Sequence, residues 1–217
     1  MLTGGDGDAL GVVVPAGGGS RRLRRDKLAE DLGGRDVLSR TLDGVRQVAP
    51  RSPVVVVGPP GRAAQLAAAG HADVTVVREE PAGAGPAAAV LAGVRALVGA
   101  PGLVGVVPGD APWAAAALPS LRTAVRDGVV AAVALAPDGR RQHLVLAARA
   151  QHLVRLDPAD LVDAPARALL QSLAAHQVVE VPVAASALLD VDDDAGLAAA
   201  RRLLDGVSAT TDEPTGA

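Results

Sequence analysis

Apolar positions along this chain switch between two periods. Leu10 to Val14 is an unbroken apolar run, which predicts a strand buried on both faces. Pro53 to Val57 predicts a second such strand, and Asp73 to Val77 and Leu103 to Val107 a third and fourth. Later strands are expected at Val129 to Leu135, His143 to Ala147 and Val178 to Val183. Between these runs the spacing becomes helical. Val37, Leu38, Leu42 and Val45 share one face of a helix within Asp36 to Val48. Further helices are predicted over Arg62 to Ala69, after Pro86 through Val98, and over Ala114 to Arg126, Ala164 to Ala175 and Asp193 to Leu204. Strands that alternate with helices form βαβ units. The expected fold is therefore α/β: a single Rossmann-like domain, a mostly parallel sheet with helices on both faces. It should occupy residues 9–205, with flexible termini at 1–8 and 206–217.

Composition narrows this picture. The chain has 217 residues, 49% of them hydrophobic, enough for one large core. It has one Trp and no Phe or Tyr, so Ala, Val and Leu must fill that core and the helices should lie close to the sheet. The same deficit leaves almost no face on which a base could stack, which argues against single-stranded nucleic acid as a partner. A net charge of −3 gives no attraction to a polyanion. No apolar run approaches the ~18 residues of a membrane span. No secretory leader pattern is visible and Cys is absent, so the expectation is a cytoplasmic protein without thiolate metal sites.

In open α/β sheets, ligands bind beyond the carboxyl ends of the strands. Three unusual segments fall there. The first is Pro15-Ala16-Gly17-Gly18-Gly19-Ser20-Arg21-Arg22-Leu23-Arg24-Arg25-Asp26-Lys27. Its glycines let the backbone turn tightly and present N–H groups to an anion, and Arg22 and Lys27 add cationic reach. It is neither a dinucleotide fingerprint nor a Walker loop, because Arg22 stands where either would place Gly. The second segment is Arg78-Glu79-Glu80-Pro81-Ala82-Gly83-Ala84-Gly85-Pro86. The third is Pro108-Gly109-Asp110-Ala111-Pro112, whose Asp110 suits either Mg2+ or the N-cap of the next helix. Before the last helix, Asp190-Val191-Asp192-Asp193-Asp194 also has two readings. One acid can cap the helix, while alternation puts Asp190 and Asp192 on one side, where Asp192 could share a metal with Asp110. The four histidines, His71, His143, His152 and His176, show no metal spacing. Trp113 is either a packing residue beside the Asp110 loop or one wall of a pocket.

Taken in order, these segments resemble one family. Ala16-Gly17-Gly18-x-Ser20-x-Arg22-Leu23-x-x-Asp26-Lys27 is similar to the opening signature of molybdenum cofactor guanylyltransferase-like nucleotidyltransferases, Ala-Gly-Gly-x-Ser-x-Arg-Met-Gly-x-Asp-Lys. The Glu79 to Pro86 loop resembles their base-binding loop, and Gly109-Asp110-Ala111-Pro112 their metal motif. Leu189-Asp190-Val191-Asp192-Asp193 resembles their closing acidic segment. Arg24 stands where the family has Gly, and Gly58 where it has an Asn that grips the nucleotide. The resemblance implies a fold of the nucleotide-diphospho-sugar transferase type. It implies a nucleoside triphosphate, GTP above others, held by Pro15, Ala16, Gly17, Gly18, Gly19, Ser20, Lys27, Gly58, Glu79, Gly85, Pro86 and Asp110. It implies catalysis by Arg22, Lys27 and Asp110, with Mg2+ on Asp110 and Asp192. The acceptor would be a phosphorylated small molecule, molybdopterin by resemblance. A cytidylyltransferase of isoprenoid synthesis and a non-catalytic nucleotide-binding relative stay open at this point.

Overall fold

The computed structural model describes residues 9–17, 26–97, 99, 101–173 and 177–211, with side chains to Gly206 in the last helix. Seven strands form one sheet: β1 (Leu10–Pro15), β2 (Val54–Val57), β3 (Thr75–Val77), β4 (Leu103–Val106), β5 (Ala131–Leu135), β6 (Arg141–Arg149) and β7 (Val178–Pro182). Their spatial order is β3-β2-β1-β4-β6-β5-β7. The first four are mutually parallel. β6 runs antiparallel between β4 and β5, and β7 pairs parallel with β5. The sheet is thus mostly parallel, as the alternating pattern predicted.

Among the described residues seven α-helices accompany it: α1 (Val37–Val48), α2 (Arg62–Ala68), α3 (Pro86–Ala96), α4 (Leu118–Ala124), α5 (Ala150–Leu153), α6 (Arg167–Gln171) and α7 (Asp194–Thr211). The pleat of β1 divides the core. Val12 and Val14 face one layer with Leu38 and Leu42 of α1, Leu121 of α4 and Leu197 of α7. Val13 faces the other, with Val90 and Val94 of α3, Leu153 of α5 and Leu169 of α6. α1 starts where the sequence places a cap: Asp36 Oδ1 accepts from the Ser39 N–H at 2.7 Å. In α3, Gly93 lies directly on Val13 and Val57, the close helix-on-sheet approach expected of a core without aromatic rings.

Some boundaries differ from the sequence reading. The expected helix over Ala114 to Arg126 is a 3-10 turn at Ala114–Ala117 followed by α4, the change coming just before Pro119. α7 continues past Leu204 to Thr211, into the stretch expected to be flexible; no proline precedes Pro214 to stop it. β6 is longer than predicted at both ends: Arg141 and Gln142 pair with β5 ahead of the apolar run, and Ala148 and Arg149 pair with β4 after it. Among the described residues, no helix is long and apolar enough to cross a membrane.

Candidate active site

β1, β2 and β4 are parallel, so the segments that leave them emerge at one edge of the sheet. There the Ala16 N–H donates to the Val57 carbonyl at 2.7 Å and the Gly58 N–H to the Val77 carbonyl at 2.8 Å. These bonds extend the ladder beyond the strands and bring three loops together. A Cβ on Gly17 would stand 3.6 Å from Gly58 Cα and 3.7 Å from Glu79 Oε1. The glycine at position 17 therefore lets the first loop, the turn after β2 and the loop after β3 pack against one another. A cleft of about 410 Å3 opens beside them, lined by Pro15, Ala16, Gly17, Lys27, Glu79, Gly83, Gly85, Pro86 and Asp110 among others.

The acidic end of the cleft is held by backbone. The Gly109 N–H donates to the Pro15 carbonyl at 3.0 Å, and the Asp110 carbonyl accepts from the Val191 N–H at 2.8 Å. Thr41, fully buried on α1, donates its hydroxyl to the Gly109 carbonyl at 2.9 Å. Val191 is itself fully buried, so its burial drives the acidic segment down onto the Asp110 turn. Asp190 and Asp192 then project from the same side, as alternation predicted. Asp193 is the residue that caps α7, accepting from the Gly196 N–H at 2.8 Å. The capping reading falls on Asp193, while Asp192 meets Asp110 through the Lys27 ammonium. Asp110 caps no helix, since Trp113 holds that position ahead of the 3-10 turn.

Lys27 joins the two carboxylates. Its ammonium donates to Asp110 Oδ2 and, at 2.6 Å, to Asp192 Oδ1. Burial pulls the Lys27 ammonium down, but Asp110 and then Asp192 outweigh it and hold it above the ordinary lysine value. Burial pushes the Asp190 carboxyl up, and the charges of Asp192 and Asp110 push it further. Lys27 is aimed by its neighbours. Asp26 caps the 3-10 turn Lys27–Ala29 by accepting from the Leu28 N–H at 3.2 Å, and Asp26 is paired at 2.7 Å with Arg62, a buried guanidinium at the start of α2.

At the other end, Glu79 is buried, with 7% of its surface exposed. Its Oε1 accepts from the Gly83 N–H at 2.9 Å, while its Oε2 has no hydrogen-bond partner among the described residues. A buried carboxylate oxygen without a donor is costly, so this atom marks a place where a ligand N–H would be favourable. Gly85 has φ +91° and lies 3.3 Å, measured from an added Cβ, from the Ala164 carbonyl; both features require glycine ahead of Pro86 and the start of α3.

Of the residues singled out in the sequence, Pro15, Ala16, Gly17, Lys27, Glu79, Gly85, Pro86 and Asp110 line this cleft, and Asp192 meets it through Lys27. Gly58 packs against the backbone of Ala16, with an added Cβ 3.0 Å from the Ala16 carbonyl, and is not among the residues lining the cleft. Gly18, Gly19, Ser20, Arg22, Arg24 and His176 lie outside the described residues. Trp113 packs against the core and is absent from the cleft wall. Motif reasoning missed Thr41, Val191, Arg62 and the cleft-lining Leu144 of β6. Thr41 had a signal: a hydroxyl on the apolar face of α1. A larger, mainly apolar hollow of about 560 Å3 lies at the opposite edge of the sheet, between Leu97, Pro101, Arg149 and Val154. Among the described residues that line it there is no carboxylate.

Thr41→Val tests the support beneath Asp110. The Gly109 carbonyl would lose its buried donor, costing about 1–3 kcal/mol. Urea denaturation should show this loss with an unchanged m-value. An unchanged midpoint would mean that the hydroxyl does not hold the turn.

The donor set fits a hard divalent cation. Two carboxylates from separate segments come close enough to share one ammonium, and Mg2+ takes one or two protein carboxylates together with substrate phosphates. Among the described residues no cluster of three or more His, Cys, Asp or Glu that could hold a metal ion is found.

Known proteins share this architecture. A nucleotidyl transferase from Methanothermobacter (Mth528) is 26% identical over 93% of this chain and 99% of its own, with a TM-score of 0.69. Rv0371c from Mycobacterium tuberculosis H37Rv is 26% identical over 91% and 98%, with a TM-score of 0.65, and is also known in complex with manganese. The molybdopterin-guanine dinucleotide biosynthesis protein A of Archaeoglobus fulgidus is 18% identical over 90% and 98%, with a TM-score of 0.61, and shares the fold. No curated protein sequence matches the chain. The family model of the MobA-like NTP transferase domain matches residues 12–179. The match begins in β1 and ends in β7, enclosing the whole cleft except Asp192, and the chain belongs to this family of nucleotidyltransferases.

Proposed function

We propose that the protein transfers GMP from GTP to molybdopterin with release of pyrophosphate, the working unit being residues 9–205 and its place the cytoplasm. The observation that carries the choice of base is Glu79. Guanine alone presents two adjacent N–H donors on one edge, at N1 and the exocyclic amine. A carboxylate matches that edge, and Glu79 offers Oε2 without a partner. Oε1 keeps accepting capacity beside its bond from Gly83.

The remaining roles follow from charge and position. Of the backbone N–H groups from Ala16 to Gly19, that of Ala16 is taken by Val57, so those from Gly17 to Gly19 would receive the triphosphate. Asp110 and Asp192 would hold Mg2+, which when bound neutralises phosphate charge. Arg22 and Lys27 would stabilise the charge gathering on the leaving pyrophosphate. An oxygen of the acceptor's own phosphate attacks the α-phosphorus as the α–β bridging bond breaks. A phosphate monoester is already ionised at neutral pH, so no protein base is required. Positioning and charge stabilisation then account for the rate.

The deciding experiment is a thermal-shift series with Mg2+ and each of GTP, CTP, ATP and UTP, followed by pyrophosphate release on adding molybdopterin. GTP should give the largest shift, about 2.7 kcal/mol of stabilisation at a hundred times its dissociation constant. Glu79→Gln should weaken GTP about 10- to 100-fold, because an ionised acceptor worth about 1.5–3 kcal/mol is lost. A preference for CTP would favour the isoprenoid-type cytidylyltransferase. Nucleotide binding with no pyrophosphate from molybdopterin would sink the assigned reaction.

A further inference from the structure

Lys27 makes its two carboxylate contacts with the same residues that suit a divalent cation. The Lys27 side chain is more buried than the acids it joins: 14% of it is exposed, against 20% for Asp110 and 50% for Asp192. One cation already sits between these oxygens, and a second cannot occupy the same space. We propose that Lys27 is the resident counter-ion of the Asp110–Asp192 pair, and that a divalent cation enters by displacing it, so that metal and nucleoside triphosphate load together. This rests on the reading of the cleft as a metal-dependent triphosphate site.

The geometry supports such an exchange. The backbone under Lys27 is fixed, because Asp26 caps its 3-10 turn and is tied to the buried Arg62. The side chain above is a flexible four-carbon stem carrying a compact charge. Lys27 and Gly17 line the same cleft, so a short swing would take the ammonium from the carboxylates toward a triphosphate bound in that cleft. Each ligand alone faces a charge cost. A metal alone expels Lys27 from the two carboxylates that hold it. A triphosphate alone approaches two carboxylates that Lys27 only half neutralises. Together, the metal takes the carboxylates and Lys27 takes the phosphates. The coupling is reciprocal: nucleotide must tighten metal by the factor by which metal tightens nucleotide.

Removing the lysine charge should therefore strengthen metal binding while it harms nucleotide binding. Mn2+ binding to the full chain, followed by electron paramagnetic resonance without nucleotide, should be about tenfold tighter in Lys27→Gln and Lys27→Met than in the wild type. Lys27→Arg keeps the charge and should bind as weakly as the wild type. The gain should persist in 1 M KCl, where the screening length is about 3 Å and only contact competition survives. The wild type supplies a second readout: Mn2+ alone should raise acetylation of Lys27, mapped by mass spectrometry, and adding α,β-methylene-GTP should suppress it. Equal Mn2+ affinity in all four proteins, a gain lost at high salt, or acetylation indifferent to Mn2+ would overturn the proposal and leave the metal site standing. Absence of Mn2+ binding in every protein, with and without the nucleotide analogue, would overturn the metal reading itself.

Discussion

Asp110→Ala and Lys27→Ala are each expected to lower nucleotidyl transfer at least about a hundredfold, a loss of ~2.7 kcal/mol or more in transition-state stabilisation. The two variants should fail differently. Asp110 is the better-buried carboxylate and its loop is tied to β1, α1 and the acidic segment. Losing the side chain leaves those backbone bonds in place, so the fold should survive while dependence on divalent cation becomes weaker. Losing Lys27 leaves Asp110 and Asp192 facing each other without their shared cation. That variant should still require metal, but fail to stabilise the charge on leaving pyrophosphate. Single-turnover measurement of pyrophosphate release across a metal titration separates the cases. Transfer by both variants at the wild-type rate would place the reaction elsewhere on the molecule.

The parts of this site that could be read from the residues alone are those in which chemistry and local chain geometry coincide. Lys27, Asp110 and Glu79 each lie in a loop that directly follows an apolar run, and a charged residue at that position already points to the carboxyl edge of a sheet. The four parallel strands were legible for the same reason, since Val54 to Val57 has no polar face to offer solvent. What escaped depends on contacts between distant segments. The pairing of Asp192 with the Asp110 turn passes through a backbone bond from Val191, and nothing in the sequence marks a valine N–H. The Arg62–Asp26 pair joins α2 to the loop after β1 across 36 positions. The antiparallel course of β6 was hidden because its apolar half reads like any parallel strand. The close backbone approach of Gly58 to Ala16, at the position where the family has Asn, was likewise not visible in the sequence.

Gly93→Val is expected to be the most damaging substitution outside the cleft, lowering stability by about 3 kcal/mol and Tm by roughly 6–12 °C. An added Cβ would press into Val13 of β1 and stand 2.9 Å from Val57 Cγ2 of β2. Both valines are buried in central strands, with Val13 fully enclosed and Val57 equally so, and neither can move aside without disturbing the sheet. Replacing glycine inside a helix normally returns about 0.5–1 kcal/mol, so the steric cost must first exceed that gain. Gly206→Ala in α7 is the comparison, because there an added Cβ meets nothing within 4 Å and the substitution should be neutral or stabilising. The consequence reaches function through α3, whose first turn at Gly85 and Pro86 forms one wall of the cleft. A helix forced off the sheet at Gly93 carries that wall outward, so Gly93→Val should also weaken nucleotide binding at a temperature where the protein remains folded. Calorimetry and nucleotide titration on the same preparation measure both effects. A Tm within a degree of wild type would show that α3 does not need its close approach, and that the aromatic-free core tolerates a wider gap between helix and sheet.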